Sequence, residues 1–375
     1  IFDGATIFMQ NNGKTVREYL YSTGNDEFTS NSISLLSSHL ITNPIDSAQI
    51  TAIENRTEQL YFLVNTDGSL AVFTSQRAEK IAGWVLFETD GSYTSVACTT
   101  AGIYVATSRT INGVTKYSLE QFASQSFDVP TDYTVTKTIS ASYQPHGTPL
   151  TKGAVSSSTT FIADGFTNNP PSQSEQFQFG GTGTTYVIQS ATSTGTSGEY
   201  TIVVDAAVTQ ADNTALQFVT SKSFSGLTTH IGKEVFATAG STEGGAIYFF
   251  GKGTVSSSGN VTFTTPTSAA DIGIDYTTDV QTLPIDSTIQ SGQLTGFPRK
   301  IGKAIVELST TYNIQVNSND ILLLDGTNNP SLGLPNFTGK KEVYTLGYSL
   351  EPNLTISQSA PLPFRVLGIT TEVYY

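Results

Sequence analysis

One cysteine, one methionine, one tryptophan and three histidines are all that 375 residues contain of those types. With Cys98 alone, no disulfide closes within the chain and no thiolate metal cluster forms from a single copy. Cys98 sits in an apolar run, where a small buried hydrophobe is expected. No run of about 20 apolar residues occurs, so no membrane-spanning segment is expected. No secretory signal is legible, and a start at Ile1 is expected of a processed or truncated product. Charge is scarce, at 13% of residues, and basic charge scarcer: 18 Lys and Arg against 31 Asp and Glu, a net charge of −13. Gripping a phosphate backbone takes clustered Lys and Arg, so specific nucleic-acid binding is not expected.

What is present is aromatic and small-polar. Seventeen Tyr and 21 Phe give ample apolar surface to bury, which argues against disorder. The chain is long enough for two or three domains at roughly 100–200 residues each. From Leu60 to Phe122 apolar runs alternate with turn dipeptides: Asp67-Gly68, Asp90-Gly91 and Asn112-Gly113. Such pairs supply the positive φ of a tight hairpin, so the segment reads as a meander. Its strands recur about every ten residues, and four cover about 40, the period of a β-propeller blade.

The expected fold is therefore all-β and mainly antiparallel. A propeller-type blade region is joined to β-sandwich or barrel-like domains. Ile7–Met9 and Val16–Tyr21 read as strands. Residues 31–41 space apolar side chains at 33, 35, 36, 40 and 41, with Ser30 or Asn31 to cap and Pro44 beyond, and predict one short helix. Residues 1–125 are expected to hold the opening strands, this helix and the blades. Residues 126–225 form a linker with a Thr/Gly-rich β insertion over about 167–220, and 226–375 a C-terminal β domain. Strands are predicted in the insertion at 185–189, 200–204 and 216–220. Beyond it they are predicted at 234–238, 246–250, 261–264, 303–308, 342–346, 354–358 and 364–374.

Candidate chemistry is thin. His39, His146 and His230 are far apart and none lies in an HExxH motif. A Ser-His-Asp triad meets only in the fold, yet no GxSxG elbow is present. Gly180-Gly-Thr-Gly-Thr-Thr185 lacks the Gly-Lys-Ser/Thr ending of a phosphate loop and reads as a turn. Asp26-Glu27 reads as solvated loop charge. Asn55, Asn260, Asn336 and Asn353 match the glycosylation pattern at a frequency chance explains. Tyr61, Phe62, Phe73, Trp84, Phe87 and Tyr93 are spaced as core residues rather than as a carbohydrate platform. No catalytic, cofactor-binding or metal-binding residue is assigned, and no cofactor is expected.

Several segments, taken in order, resemble the C-terminal half of the tail nozzle proteins (tail tubular protein B) of short-tailed bacteriophages. They are Lys14–Tyr19 with Ile33–Leu40, Gly83–Ser92 with Arg109–Glu120, Gly226–Val235, Ile272–Tyr276 with Leu283–Asp286, and Pro361–Ile369 with Glu372. The matches skip about 125–225, and family members are often longer, so the propeller is unclosed within these residues. The resemblance implies a virion protein without catalytic residues. It would be a ring homo-oligomer, of six copies, beneath the tail adaptor. Double-stranded DNA would pass through without specific binding, and fibres or spikes would dock on the outer loops. The alternatives are a receptor-binding tail fibre, spike or carbohydrate-binding module, and a secreted β-propeller or β-sandwich enzyme.

Overall fold

The computed structural model describes residues 2–374 apart from 23, 25, 52–58, 124–130, 241–246, 286, 287, 290, 291, 294–296, 324–333, 335 and 346. It is all-β and antiparallel, and the chain divides into two units, Ile1–Gln125 and Ser126–Tyr375. Among the described residues no helix is long and apolar enough to cross a membrane.

The first unit holds three sheets in chain order. β1 (Thr6–Met9), β2 (Val16–Ser22) and β3 (Glu27–Ser32) form one. β4 (Asp46–Ile50), β5 (Leu60–Val64), β6 (Leu70–Gln76) and β7 (Ile81–Phe87) form a four-stranded meander, the shape of a blade. β8 (Ser92–Thr99), β9 (Gly102–Ile111) and β10 (Val114–Gln121) form the third. The Asn112-Gly113 hairpin turns as expected, with φ of +49° and +73° at its two central residues.

Period-two alternation decides how these sheets stack. In the middle sheet Phe62, Val64, Leu70 and Val72 point one way, onto Tyr93, Val96, Ile103 and Val105 of the third sheet. Leu63 and Ala71 point the other way, onto Val16 and Ile41, with Ile7, Met9 and Trp84 packed around them. A strand buried on both faces needs a near-continuous apolar run, and Leu60–Val64 (Leu-Tyr-Phe-Leu-Val) supplies one. The aromatic run from Tyr61 to Tyr93 is thus core: Phe62, Phe73 and Tyr93 are buried, and the half-buried Trp84 donates its indole N–H to the Ile33 carbonyl at 2.8 Å.

The helix expected over 31–41 is corrected. Asn31 and Ser32 belong to β3, and the only helical geometry there is a three-residue 3-10 turn, Ser38–Leu40. Tertiary bonds override the local spacing. The Ser34 hydroxyl accepts the Val16 N–H at 2.9 Å, and side-chain bonds of this kind compete with helix. Leu35 and Leu36, counted toward a buried stripe, are 75% and 88% exposed.

The second unit begins with β11 (Asp132–Thr138), β12 (Gly147–Thr151), β13 (Val155–Phe166), β14 (Gln176–Phe179), β15 (Thr185–Ser193), β16 (Tyr200–Gln210) and β17 (Leu216–Phe224). Next come β18 (Glu234–Ala239), β19 (Tyr248–Thr254), β20 (Val261–Thr267) and β21 (Ala269–Ile274). A seven-stranded sheet runs β12-β13-β16-β15-β14-β17-β20. It curls until Leu150 bridges Ala215, giving a barrel-like body around Phe161, Phe177, Phe179, Ile188, Ile202 and Phe218. Strands from either side of Ser225 share this sheet, since Phe224 pairs with Val261. β11, β21, β18 and β19 form a four-stranded sheet over a core of Phe224, Val235, Phe263 and Ile272.

The remaining strands are β22 (Val280–Gln281), β23 (Thr288–Ile289), β24 (Gly292–Gln293), β25 (Lys300–Thr311), β26 (Gln315–Val316), β27 (Asn319–Asp320), β28 (Phe337–Tyr344), β29 (Thr355–Ser357) and β30 (Val366–Tyr374). β25 lies between β28 and β30 and packs Val306 and Leu308 onto Val316, Leu354 and Ile356.

Candidate functional site

A dense, fully buried polar arrangement lies in the barrel-like body. His146 precedes β12, Glu175 precedes β14 and Ser221 is on β17, and none of the three side chains is exposed. The imidazole packs 4.2 Å from the Phe218 ring. Its Nδ1 faces the Asn169 carbonyl at 3.1 Å, and since a carbonyl only accepts, Nδ1 carries a hydrogen. Its Nε2 lies 2.9 Å from Ser221 Oγ and 3.2 Å from Glu175 Oε2. The carboxylate is gripped further by the N–H groups of Ser172 and Lys222, each at 2.7 Å, and accepts from the Ser221 hydroxyl at 3.0 Å.

Serine, histidine and a carboxylate together invite comparison with a hydrolase triad, and the geometry differs in each relation that matters. A triad relays through the ring, with the serine on one nitrogen and the acid on the other. Here serine and acid crowd the same nitrogen. Ser221 Oγ also accepts the Ser223 N–H at 3.0 Å, and no face of it reaches solvent. The arrangement is a lock. It ties the 144–147 and 167–175 segments to the bulged end of β17 and satisfies every group that burial would otherwise penalise.

His230 is equally enclosed. Its Nε2 donates to the Tyr133 carbonyl at 2.7 Å, and its Nδ1 accepts from Thr229 Oγ1 at 2.9 Å. Gly226–Val235 thereby forms a tight turn pinned to β11. Ile285 is held similarly, with Asp286 outside the described residues: the Arg299 guanidinium, on a buried residue, donates to the carbonyls of Ile285 and Leu350 at 2.5 and 2.7 Å. In the first unit Arg109, on β9, is 2% exposed and places both Nη atoms on the Glu120 carboxylate of β10, with Thr89 and Thr107 as further acceptors. Asp46 joins two sheets. From β4 it accepts the Ser95 hydroxyl at 2.5 Å and the Val96 N–H at 3.0 Å on β8. Partial burial pushes its carboxyl up, but the bonds from Ser95, Val96 and Ser47 outweigh that and hold it below the ordinary range.

The other sequence candidates are dispersed. His39 is exposed on the 3-10 turn, and Asp26 accepts the Tyr21 hydroxyl. Gly180–Gly183 is the β14–β15 turn, with positive φ at Gly180, Gly181 and Gly183. Asn55 lies outside the described residues; Asn260 donates to the Asn168 carbonyl at 2.9 Å, and Asn336 and Asn353 are half-buried. Cys98 is half-buried against the core between the second and third sheets. Among the described residues no group of three or more His, Cys, Asp and Glu side chains is gathered to hold a metal. An open groove of about 480 Å³ is lined by Val280, Phe364, Val366, Leu367 and Ile369 beside β30, chiefly aliphatic and aromatic surface.

Sequence reasoning missed Glu175, Ser221 and the Arg109–Glu120 pair. Glu175 stands among Ser174, Gln176 and other polar residues, where nothing marks it. Arg109 does carry a signal: it falls on the inward beat of Ile103, Val105, Thr107 and Ile111, where only a partnered charge is tolerated. No protein-family model matches the chain, and no curated protein matches it.

Proposed function

We propose that this chain is a structural subunit of a short phage tail. It forms a ring of copies, six by the resemblance, that makes the distal nozzle of the DNA-ejection conduit and docks an adaptor and fibres or spikes. One observation carries the reading: the buried polar groups join strands to strands and sheets to sheets. His146, Glu175, Ser221, His230, Arg109 and Arg299 hold turns and strand ends in place instead of lining a cleft. Buried polar networks of this kind rigidify a fold and fix one arrangement, as a conduit wall requires. A net charge of −13 suits a passage for DNA, because phosphates meet no dense cationic field that would trap them by counterion release.

Electron microscopy of the purified protein tests the proposal. Closed rings with a central channel are expected at high concentration. Monomers alone under those conditions overturn it.

A further inference from the structure

The sequence holds two Asn-Gly pairs, Asn12-Gly13 and Asn112-Gly113, and in each the asparagine is exposed. In such a pair the glycine nitrogen can attack the side-chain amide of the asparagine before it, because glycine puts no Cβ in the path. Exposure is common to both pairs. What separates them is whether the reacting atoms are held.

At Asn12 they are held at several points. Asn12 Oδ1 accepts the N–H groups of Lys14 and Thr15 at 3.1 and 3.0 Å, and Nδ2 donates to Thr15 Oγ1 at 2.9 Å. The attacking atom would be the Gly13 nitrogen, and its N–H donates to the Gln10 carbonyl at 3.0 Å. The Gly13 carbonyl accepts the Asn43 N–H at 2.9 Å, and the Asn43 side chain fills the space beside the glycine. Several of these bonds must open together before Cγ and nitrogen meet.

At Asn112 the same atoms are free to move. Asn112 and Gly113 are the two central residues of the β9–β10 hairpin, which Ile111 and Val114 close behind them. Among the described residues neither the Asn112 side-chain amide nor the Gly113 N–H has a hydrogen-bond partner. Nothing lies within 4 Å of the place a Gly113 Cβ would take, and Asn112, Gly113 and Val114 are all exposed, so water reaches the loop.

We propose that Asn112 is a site of spontaneous self-modification and that Asn12 is protected from it. The Gly113 nitrogen bonds to Asn112 Cγ while the Cγ–Nδ2 bond breaks, and the side-chain amide leaves as ammonia with the hydrogen from the Gly113 nitrogen. One water then opens the resulting succinimide ring. Cleavage of the new Cγ–N bond gives aspartate. Cleavage of the original peptide bond gives isoaspartate, in which the main chain runs through the former side chain. Water is the one co-reactant. The two products differ in consequence. Aspartate adds a negative charge and keeps the turn, because Asp-Gly suits the same positive φ. Isoaspartate lengthens the loop backbone by a methylene, so the two-residue turn at φ +49° and +73° no longer closes the ladder in register. The inference is independent of the ring reading.

Ageing the full chain in mildly alkaline buffer tests it, beside a sample kept unfolded in guanidinium. Mass spectrometry of the peptides spanning each site gives the conversion rates, and enzymatic methylation of isoaspartate counts that product separately. The readout is each site's folded rate divided by its own unfolded rate, which cancels the effect of neighbouring residues. This ratio is expected to be at least about tenfold higher at Asn112 than at Asn12, the difference set by the bonds that must open around Asn12. The methylated isoaspartate of the folded sample is expected in the Asn112 peptide. Equal ratios overturn the proposal, because the bonds around Asn12 then protect nothing. A lower ratio at Asn112, or conversion there in the unfolded sample alone, overturns it as well, because the hairpin then holds Cγ and nitrogen apart.

Discussion

Arg109 and Glu120 meet diagonally across the β9–β10 ladder. Arg109 is opposite Lys116 and Glu120 opposite Val105, and the guanidinium reaches back past Thr107 to put both Nη atoms on the carboxylate. The Arg109 side chain is 1% exposed and that of Glu120 16%. Removing one partner strands a buried charge, so Glu120→Gln is expected to cost about 3 kcal/mol, the low end for such pairs because Glu120 keeps some solvent. Replacing both, Arg109→Met with Glu120→Leu, is expected to recover most of the loss. Denaturant midpoints for Glu120→Gln, for Arg109→Met and Glu120→Leu singly, and for the double variant, the last three read as a double-mutant cycle, check it.

The lock around Glu175 gives a graded expectation. Ser221→Ala orphans the Ser223 N–H while Glu175 keeps its bonds from Ser172 and Lys222, so a loss of about 1–2 kcal/mol is expected. His146→Ala removes the ring packed on Phe218 as well as the partner of Glu175 Oε2, and about 3–5 kcal/mol is expected. Chemical unfolding followed by the near-ultraviolet signal of the aromatic core gives both values. Equal losses for the two variants contradict the lock as described.

The Asn112-Gly113 hairpin was legible because the dipeptide dictates backbone angles, whereas Asp90-Gly91, read the same way, carries the chain from β7 into the next sheet and closes no hairpin. Val155–Phe166 was not legible, although at twelve residues it equals β25 in length. Register shifts at Val155/Ser158 and Ser158/Thr160 break the two-residue beat, so Val-Ser-Ser-Ser-Thr-Thr shows no alternation to read. The helix expected near 31–41 failed for the opposite reason. Its local spacing was real, but bonds to Val16 and Trp84, distant in sequence, decided the conformation. The polar locks form from residues dozens of positions apart, 146 with 175 and 221, and no window of sequence contains them.

Acid should loosen the first unit at the joint between its second and third sheets. Asp46 is held below the ordinary carboxyl range, and so is Asp67, chiefly by the Ser69 hydroxyl and N–H. A depressed folded pKa gives stability that is fully present above the unfolded value, about 3.9, and lost as pH falls through the folded one. Stability should therefore be flat near neutrality with respect to these groups and should decline below about pH 4. Asp46→Asn is expected to cost about 1 kcal/mol near pH 7. The wild-type and variant curves should converge as the pH drops, because protonation removes the same charge. Thermal midpoints of both proteins across this range, followed by a probe within residues 1–125, check it.

Two glycines from the motif segments make opposite predictions. At Gly273 on β21, a Cβ would lie 2.4 Å from Thr131 Oγ1 and 2.6 Å from the Asp132 carbonyl oxygen. β11 bulges there between Asp132 and Val135, with Tyr133 at φ +50°, so its backbone crosses directly over the missing side chain. Backbone cannot give way as a flexible side chain can, and Gly273→Ala is expected to cost roughly 1–3 kcal/mol. The same displacement would move the Tyr133 carbonyl that His230 binds, so the His230 ring resonances should shift with the loss of stability. At Gly83 on β7 nothing lies within 4 Å of the place a methyl group would take, and φ is ordinary, so Gly83→Ala should stay within about 0.5 kcal/mol of the wild type. A Gly273→Ala variant as stable as the Gly83 control, with unmoved His230 resonances, would show that β11 does not press on this strand.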